Sequence, residues 1–395
     1  MANPPSSRPG RFGERTRLVQ AGRDPSAQHG FVNTPIYRGS TVLYPTADDL
    51  LHRRARYVYG TAGTPTTEAL ERAWTELTGA AGTVLTPSGL AAVSLALLSC
   101  LKSGDHLLMT DSAYRPTRVF CDTVLRRFGV ETTYYDPLVG ADIAALLRPN
   151  TAAVFTESPG SQSFEMQDVP AIAAAAHARG AVVLMDNTWA TPLFFKPPRF
   201  GIDIGIYAAT KYICGHSDMM MGIITCRADL HHQIAKMAHG TLGQAVSADD
   251  CYQALRGLRT LHARLTQHQE TALALARWLA ARPEVEQVLH PAFPGTPGHE
   301  FWKRDVGGSS GLFGVVLKPV TPDRVDAMLN GMRLFCMGYS WGGYESLMVP
   351  AGLTTSRSAK PWPAVGRTVR IHAGLEDPED LIADLEDGLA RLRGN

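Results

Sequence analysis

Two residues in this chain have the types and setting to do chemistry together. Lys211 sits in the run Tyr207-Ala208-Ala209-Thr210-Lys211-Tyr212, and Asp186 closes the apolar run Val182-Val183-Leu184-Met185-Asp186. A lysine amine at one strand end can form a Schiff base with an aldehyde, and a carboxylate at another can keep a pyridine nitrogen protonated. That pair is what pyridoxal phosphate (PLP), an aldehyde-bearing electron sink, asks of a protein. Taken alone, a Thr-Lys dipeptide reads as solvated surface. Its neighbours change the reading.

A phosphate needs an anion cradle. Ser88-Gly89-Leu90, followed by the helical run Ala91-Ala92-Val93-Ser94-Leu95-Ala96, supplies one: glycine admits close backbone approach, and the first helical turn has free N–H groups. Thr210 can add a hydroxyl. Tyr114, after the strand-end Thr110, has a flat face that could stack on a ring and a hydroxyl that can handle protons. Arg370, in Thr368-Val369-Arg370-Ile371-His372, could offer a bidentate fork to a substrate carboxylate. Each also has a plainer reading: an ordinary strand-to-helix turn, a half-buried core tyrosine, an arginine that snorkels outward.

The elements around these residues follow one pattern. Short apolar runs at residues 83–85, 106–109, 152–156 and 181–185 each end in small or polar residues before a helical stretch. Alternation of this kind predicts a mostly parallel sheet flanked by helices, an α/β fold whose ligands sit beyond the carboxyl ends of the strands. Thr64-Pro65 reads as an N-cap with proline at the first helical position, with Leu70, Ala73, Trp74 and Leu77 at helical spacing. Residues 1–60 read as an extended arm. Beyond residue 256 a long helix over 259–281, then Glu286-Gln287-Val288-Leu289-His290, residues 312–317 and residues 368–372, suggest a smaller C-terminal α/β domain. The expected division is 1–60, 61–256 and 257–395.

Composition excludes several classes. The chain has 395 residues, 45% hydrophobic and 19% charged, with a net charge of +1, so nothing invites nucleic acid or an anionic membrane. The six cysteines are scattered, without a C-x-x-C pair or histidines at ligand spacing, and read as reduced thiols with no metal site. Met1-Ala2-Asn3-Pro4-Pro5-Ser6-Ser7 lacks the apolar core of a signal peptide, and residues 91–101 are too short an apolar stretch to span a bilayer. A cytoplasmic location is expected.

Taken together, the chain resembles the Cys/Met-metabolism family of PLP enzymes, from about Val32 onward. The motifs are Tyr59-Gly60, Pro87-Ser88-Gly89, Glu157-Ser158-Pro159-Gly160-Ser161, Asp186-Asn187-Thr188-Trp189, Ala209-Thr210-Lys211-Tyr212, Gly215-His216-Ser217-Asp218 and Arg256-Gly257-Leu258-Arg259-Thr260-Leu261. Tyr339-Ser340-Trp341-Gly342-Gly343-Tyr344-Glu345-Ser346 and Arg370-Ile371-His372-Ala373-Gly374-Leu375-Glu376-Asp377 complete the set. The resemblance implies fold type I, as in aspartate aminotransferase. It implies that Lys211 carries the cofactor and moves the α-proton, and that Asp186 holds the ring nitrogen. Ser88, Gly89, Leu90 and Thr210 would bind phosphate, Tyr114 would stack on the ring, and Arg370, Ser340 and Trp341 would form the substrate site. Tyr59 would be lent across the interface of a homotetramer built from two active dimers. Ser340-Trp341-Gly342-Gly343 looks most like the β-cleaving branch, which implies cystathionine going to homocysteine, pyruvate and ammonia. A γ-lyase or γ-synthase, or a non-catalytic scaffold, are the alternatives. Two positions depart from the family pattern: Thr61 where an arginine usually follows Tyr-x, and Ala208 where a serine is common.

Overall fold

The computed structural model describes residues 12–353, 357–364 and 366–394, so residues 1–11 of the expected arm lie outside the described part. Seven strands form the main sheet: β1 (Gly82–Thr86), β2 (His106–Thr110), β3 (Glu131–Tyr135), β4 (Thr151–Glu157), β5 (Val182–Asp186), β6 (Ile204–Ala208) and β7 (Gly222–Cys226). Their spatial order is β1-β7-β6-β5-β4-β2-β3. Pairing is parallel from β6 through β3, while β7 runs antiparallel to both β1 and β6. The mostly parallel sheet is therefore present, with β7 as the one reversed strand. Strands β1, β2 and β7 are buried along their whole length, as a sheet covered on both faces requires.

The helix Pro65–Thr78 starts as its sequence predicts. Thr64 caps it, and the Thr67 side chain returns the bond to the Thr64 N–H. Leu70, Ala73, Trp74 and Leu77 are all buried, and Trp74 meets Tyr207 edge-on at 5.2 Å. Truncating a buried tryptophan of this kind costs about 3–5 kcal/mol.

The second sheet contains β8 (Val285–Leu289), β9 (Leu312–Leu317), β10 (Leu347–Pro350) and β11 (Thr368–His372), ordered β10-β11-β9-β8 with every pair antiparallel. One helix, Ala248–Ala280, serves both halves: Leu255, Leu258 and Leu265 enter the first core, Leu275 and Leu279 the second. It begins well before residue 259. Ser247 accepts from the Asp249 N–H, and Asp249 and Asp250 suit the positive end of the helix.

The arm is not extended throughout. Glu14–Gln20 is helical, and Leu18 and Ala21 are buried against the long helix, where Arg259 donates to both their carbonyls at 2.7 and 2.9 Å. Further along, Phe31, Val32 and Leu43 stand exposed.

Candidate active site

Five strand ends converge on one edge of the main sheet. Ser88 follows β1, Tyr114 follows β2, Glu157 ends β4, Asp186 ends β5 and Lys211 follows β6. That is where an open α/β sheet offers a crevice.

Lys211 lies within this cluster of strand ends. Its Nζ donates to Ser340 Oγ at 2.5 Å and sits 5.2 Å from the Trp341 ring centroid. Burial lowers its pKa to about 8; the Arg370 charge adds to that, and Asp186 opposes it. A sizeable neutral fraction at physiological pH follows, which a nucleophilic or basic amine needs.

The segment over the lysine is held by geometry that tolerates little change. Ser340 adopts a φ of +77° and Gly342 a φ of +91°. A Cβ on Gly342 would lie 2.8 Å from the Lys211 carbonyl carbon and the Tyr212 nitrogen, so only glycine lets this loop rest on the lysine peptide. The Gly342 N–H donates to His372 Nε2 at 3.1 Å. His372 must then carry its proton on Nδ1, which donates to the Glu345 carbonyl at 3.0 Å. Burial holds this ring well below the usual histidine range, which keeps it neutral and keeps that tautomer.

Arg370 enters from β11. Its Nη2 donates to the Ser340 carbonyl at 3.0 Å, and among the described residues it has no carboxylate partner. Ser340 thus touches both cations, its hydroxyl on Lys211 and its carbonyl on Arg370. A largely buried guanidinium without a counter-ion is costly unless an anion visits.

Asp186 is the half-buried carboxylate at the end of β5. Burial pushes its carboxyl above the usual range, against hydrogen bonds from Thr188 and the charge of Lys211. The Thr188 N–H donates to Asp186 Oδ1 at 2.9 Å, and the Thr188 hydroxyl accepts from the Ala208 N–H at 2.9 Å. Asp186 has no ion pair among the described residues, so a buried cation beside it would relieve its desolvation.

The anion end is a helix mouth. Ser88 Oγ accepts from the Ala91 N–H at 3.1 Å and the Ser88 carbonyl from the Ala92 N–H, which leaves the Gly89 and Leu90 N–H groups at the open turn of Gly89–Cys100. A Cβ on Gly89 would come 2.7 Å from the Ala208 Cβ, so this helix approaches β6 as closely as glycine permits. The Thr210 hydroxyl accepts from the Met221 N–H at 3.1 Å and lies 3.3 Å from the Met221 carbonyl, bracing β7. Tyr114 is 46% exposed, with its backbone N–H donating to Glu157 Oε2 at 2.8 Å.

These residues fit PLP. The helix mouth suits its phosphate, the half-buried Asp186 suits a protonated ring nitrogen, the neutral-leaning Lys211 suits its aldehyde, and the open face of Tyr114 suits its ring.

Residues 15–390 match the family described as Cys/Met metabolism PLP-dependent enzymes. The chain belongs to that family. It is 51% identical to a putative cystathionine β-lyase of Rhizobium johnstonii, covering 96% of each chain. It is 46% identical to cystathionine β-lyase MetC of Escherichia coli, over 95% of this chain and 98% of that one. The crystal structure of cystathionine γ-synthase from Xanthomonas oryzae pv. oryzae, in complex with aminoacrylate and cysteine, superimposes with a TM-score of 0.90 at 33% identity, covering 97% and 99%. The fold is therefore the type I fold of PLP enzymes, and PLP is the cofactor.

Lys211, Ser340, Trp341 and Arg370 are in direct contact or one residue removed from it. Asp186 and Tyr114 are linked through Glu157, its ladder partner in β4 and the acceptor of its backbone N–H respectively. Tyr59 lies elsewhere, 52% exposed in a second cleft with Arg38, Thr61 and Asp249. Sequence reasoning gave no role to Thr188, His372 or Arg264. Thr188 was findable, because a threonine two residues after a strand-end aspartate can return a hydrogen bond to it. Arg264 carries no such signal: from the long helix it donates to the Tyr212 and Gly257 carbonyls at 2.7 and 2.8 Å and fastens the loop that bears the lysine. Among the described residues no cluster could hold a metal ion, and no helix is long and apolar enough to cross a membrane.

Proposed function

We propose that the protein is a carbon–sulfur β-lyase that cleaves L-cystathionine, and other cysteine S-conjugates, to homocysteine or the matching thiol, pyruvate and ammonia. The observation that carries this reading is Ser340, which places a neutral-leaning lysine and a carboxylate-seeking arginine on either side of one residue. An α-amino acid held by its carboxylate on Arg370 would present Cα to Lys211 Nζ. The β rather than γ outcome is supported by the Ser340-Trp341-Gly342-Gly343 stretch and by relatives named cystathionine β-lyase.

When bound, PLP supplies an electron sink for the charge that develops at Cα. Asp186 would hold the ring nitrogen, and the Gly89 and Leu90 N–H groups, with Ser88 and Thr210 beside them, the phosphate. Tyr114 would cover one ring face. Lys211 Nζ takes the Cα proton, directed by Ser340 Oγ, while the Cβ–sulfur bond breaks and the thiolate leaves; the released aminoacrylate is then hydrolysed by water to pyruvate and ammonia. Trp341 would help to wall the lysine from water. We place Tyr59 at a neighbouring copy's site in a homotetramer of two active dimers, in a cytoplasmic enzyme, with residues 61–256 carrying the cofactor and 257–395 closing over it.

The test is one product analysis. Cystathionine should give pyruvate and homocysteine; 2-oxobutyrate and cysteine as the main products would replace this reading with a γ-lyase.

A further inference from the structure

One acidic group in the cleft has no part in the scheme above. Glu157 ends β4 directly beside Asp186 on β5, and the two are register partners in a parallel ladder. Neighbouring strands lie about 4.8 Å apart and partnered side chains share a face, so two carboxyls stand side by side at the sheet edge. Two such groups do not both ionise.

The donors around them decide which one keeps the charge. Asp186 receives the Thr188 N–H and hydroxyl and faces the Lys211 cation. Glu157 receives one side-chain contact, the Tyr114 N–H on Oε2, and Oε1 has no hydrogen-bond partner among the described residues. The Gln167 amide reaches only its backbone carbonyl, at 2.8 Å. Arg370 and Lys211 are spoken for by Ser340. Of the charged and titratable groups facing Glu157, Asp186 repels its ionised form and no cation pairs with it; burial, then Asp186, hold its carboxyl well above the usual range.

We propose that Glu157 is a neutral carboxylic acid, a positioning residue whose carbonyl oxygen Oε2 fixes the backbone of Tyr114 while Oε1–H offers a hydrogen-bond donor to the cleft. Asp186 is then the one ionised carboxylate beside the ring nitrogen, and Glu157 adds a donor without adding charge. This rests on the reading of the cleft as the PLP site, but the charge state itself does not require cofactor.

The experiment compares wild type with Glu157→Gln, which mimics a neutral acid in shape and charge. Infrared difference spectra at neutral pH, recorded on the loaded and the cofactor-stripped protein, should contain the carbonyl stretch of a protonated carboxylic acid. That band should shift in heavy water and vanish in Glu157→Gln. Glu71 is a second buried acid, pushed up to about 8 by burial, so Glu71→Gln identifies its separate band. In the loaded enzyme the pH midpoint of the bound cofactor's visible absorption should hardly move in Glu157→Gln, because no charge is removed. Glu157→Leu, which loses both contacts, should weaken PLP binding about tenfold. Absence of the Glu157 band, or a midpoint lowered by about one unit in Glu157→Gln, means an ionised glutamate and overturns the proposal. If Glu157→Gln folds poorly, Glu157→Asp substitutes for it: a retained but displaced band supports the proposal, and no band refutes it. A protein that binds no PLP yet keeps the band would sink the functional reading and leave the charge assignment standing.

Discussion

The cleft around Lys211 and the cleft around Tyr59 are built on opposite electrostatics. In the first, Lys211, Asp186 and Arg370 are withdrawn from water, and each is displaced from its ordinary protonation behaviour mainly by burial. In the second, the charges are exposed and already matched within the chain: Arg38 grips Asp249 at 2.6 and 2.9 Å, and just outside the cleft Arg56 holds Glu68 at 2.7 Å and Arg54 holds Asp48. Exposed pairs of this kind are screened by water and add little to stability. A desolvated site can therefore run chemistry on its own residues. A solvated one, rimmed by an exposed aromatic ring, is where we place a neighbouring copy.

The largest expected effect lies in the buried cleft. Lys211→Ala should leave the protein colourless with PLP and lower turnover by about 10²–10⁴-fold or more, measured by absorbance and by keto-acid release. A variant still yellow and active would make the two clefts equivalent in kind.

Arg370→Lys should come next. Replacing a planar fork by a point charge costs about 2 kcal/mol, close to a thirtyfold rise in KM with a smaller change in kcat. An unchanged KM would move the substrate carboxylate away from β11.

A smaller effect tests the lysine's burial directly. The neutral amine is the form that captures an aldehyde, and its pKa is about 8. The rate at which stripped protein takes up PLP should thus rise as pH passes about 8 and level off above it, followed by stopped-flow absorbance. A rate still climbing towards the ordinary lysine range would mean that water reaches Nζ.

The smallest effects belong to the open cleft. Thr61 departs from the family pattern in which an arginine follows Tyr-x, and the nearby Arg54 and Arg56 are committed to acidic partners. Thr61→Arg should tighten PLP binding by about tenfold, since a charge-assisted contact adds about 1.5 kcal/mol. Arg56→Ala should change it little. A strong loss in Arg56→Ala, by equilibrium dialysis, would show that the open cleft already supplies the phosphate's cation.

How much was legible follows the same division. Lys211, Asp186, Gly89 and Arg370 stood out because each interrupts a strand or opens a helix, where periodicity marks position. The Leu312–Leu317 and Thr368–His372 strands match their expected limits, being short apolar runs with clear edges. Strand β7 was not foreseen, since Met219-Met220-Met221-Gly222-Ile223 carries neither alternation nor a turn signal pointing back to β1. The start of the long helix was hidden by Asp249-Asp250 and by Gly257, which reads as a breaker. In the fold that glycine lets the helix touch the lysine loop: a Cβ there would lie 2.3 Å from the Ile213 carbonyl oxygen. The role of Tyr59 came only from resemblance, because an exposed ring outside the strand ends leaves no pattern in its own neighbourhood.

The reversed strand also sets an order of events for a chain being made. Among the described residues β1 is an edge strand paired with β7 alone, with Thr86 opposite Gly222. The ribosome therefore releases β1 and the helix Gly89–Cys100 long before their sheet partner exists. The turn at residues 88–90, to which we assign the phosphate, lacks part of its support until residue 226 has emerged, and until then this stretch waits as exposed, apolar chain. Long-range closure of that kind folds slowly and invites aggregation while it waits. Ribosome-bound fragments ending before β7 should accordingly need a chaperone, whereas fragments that include it should acquire protease resistance in a single step.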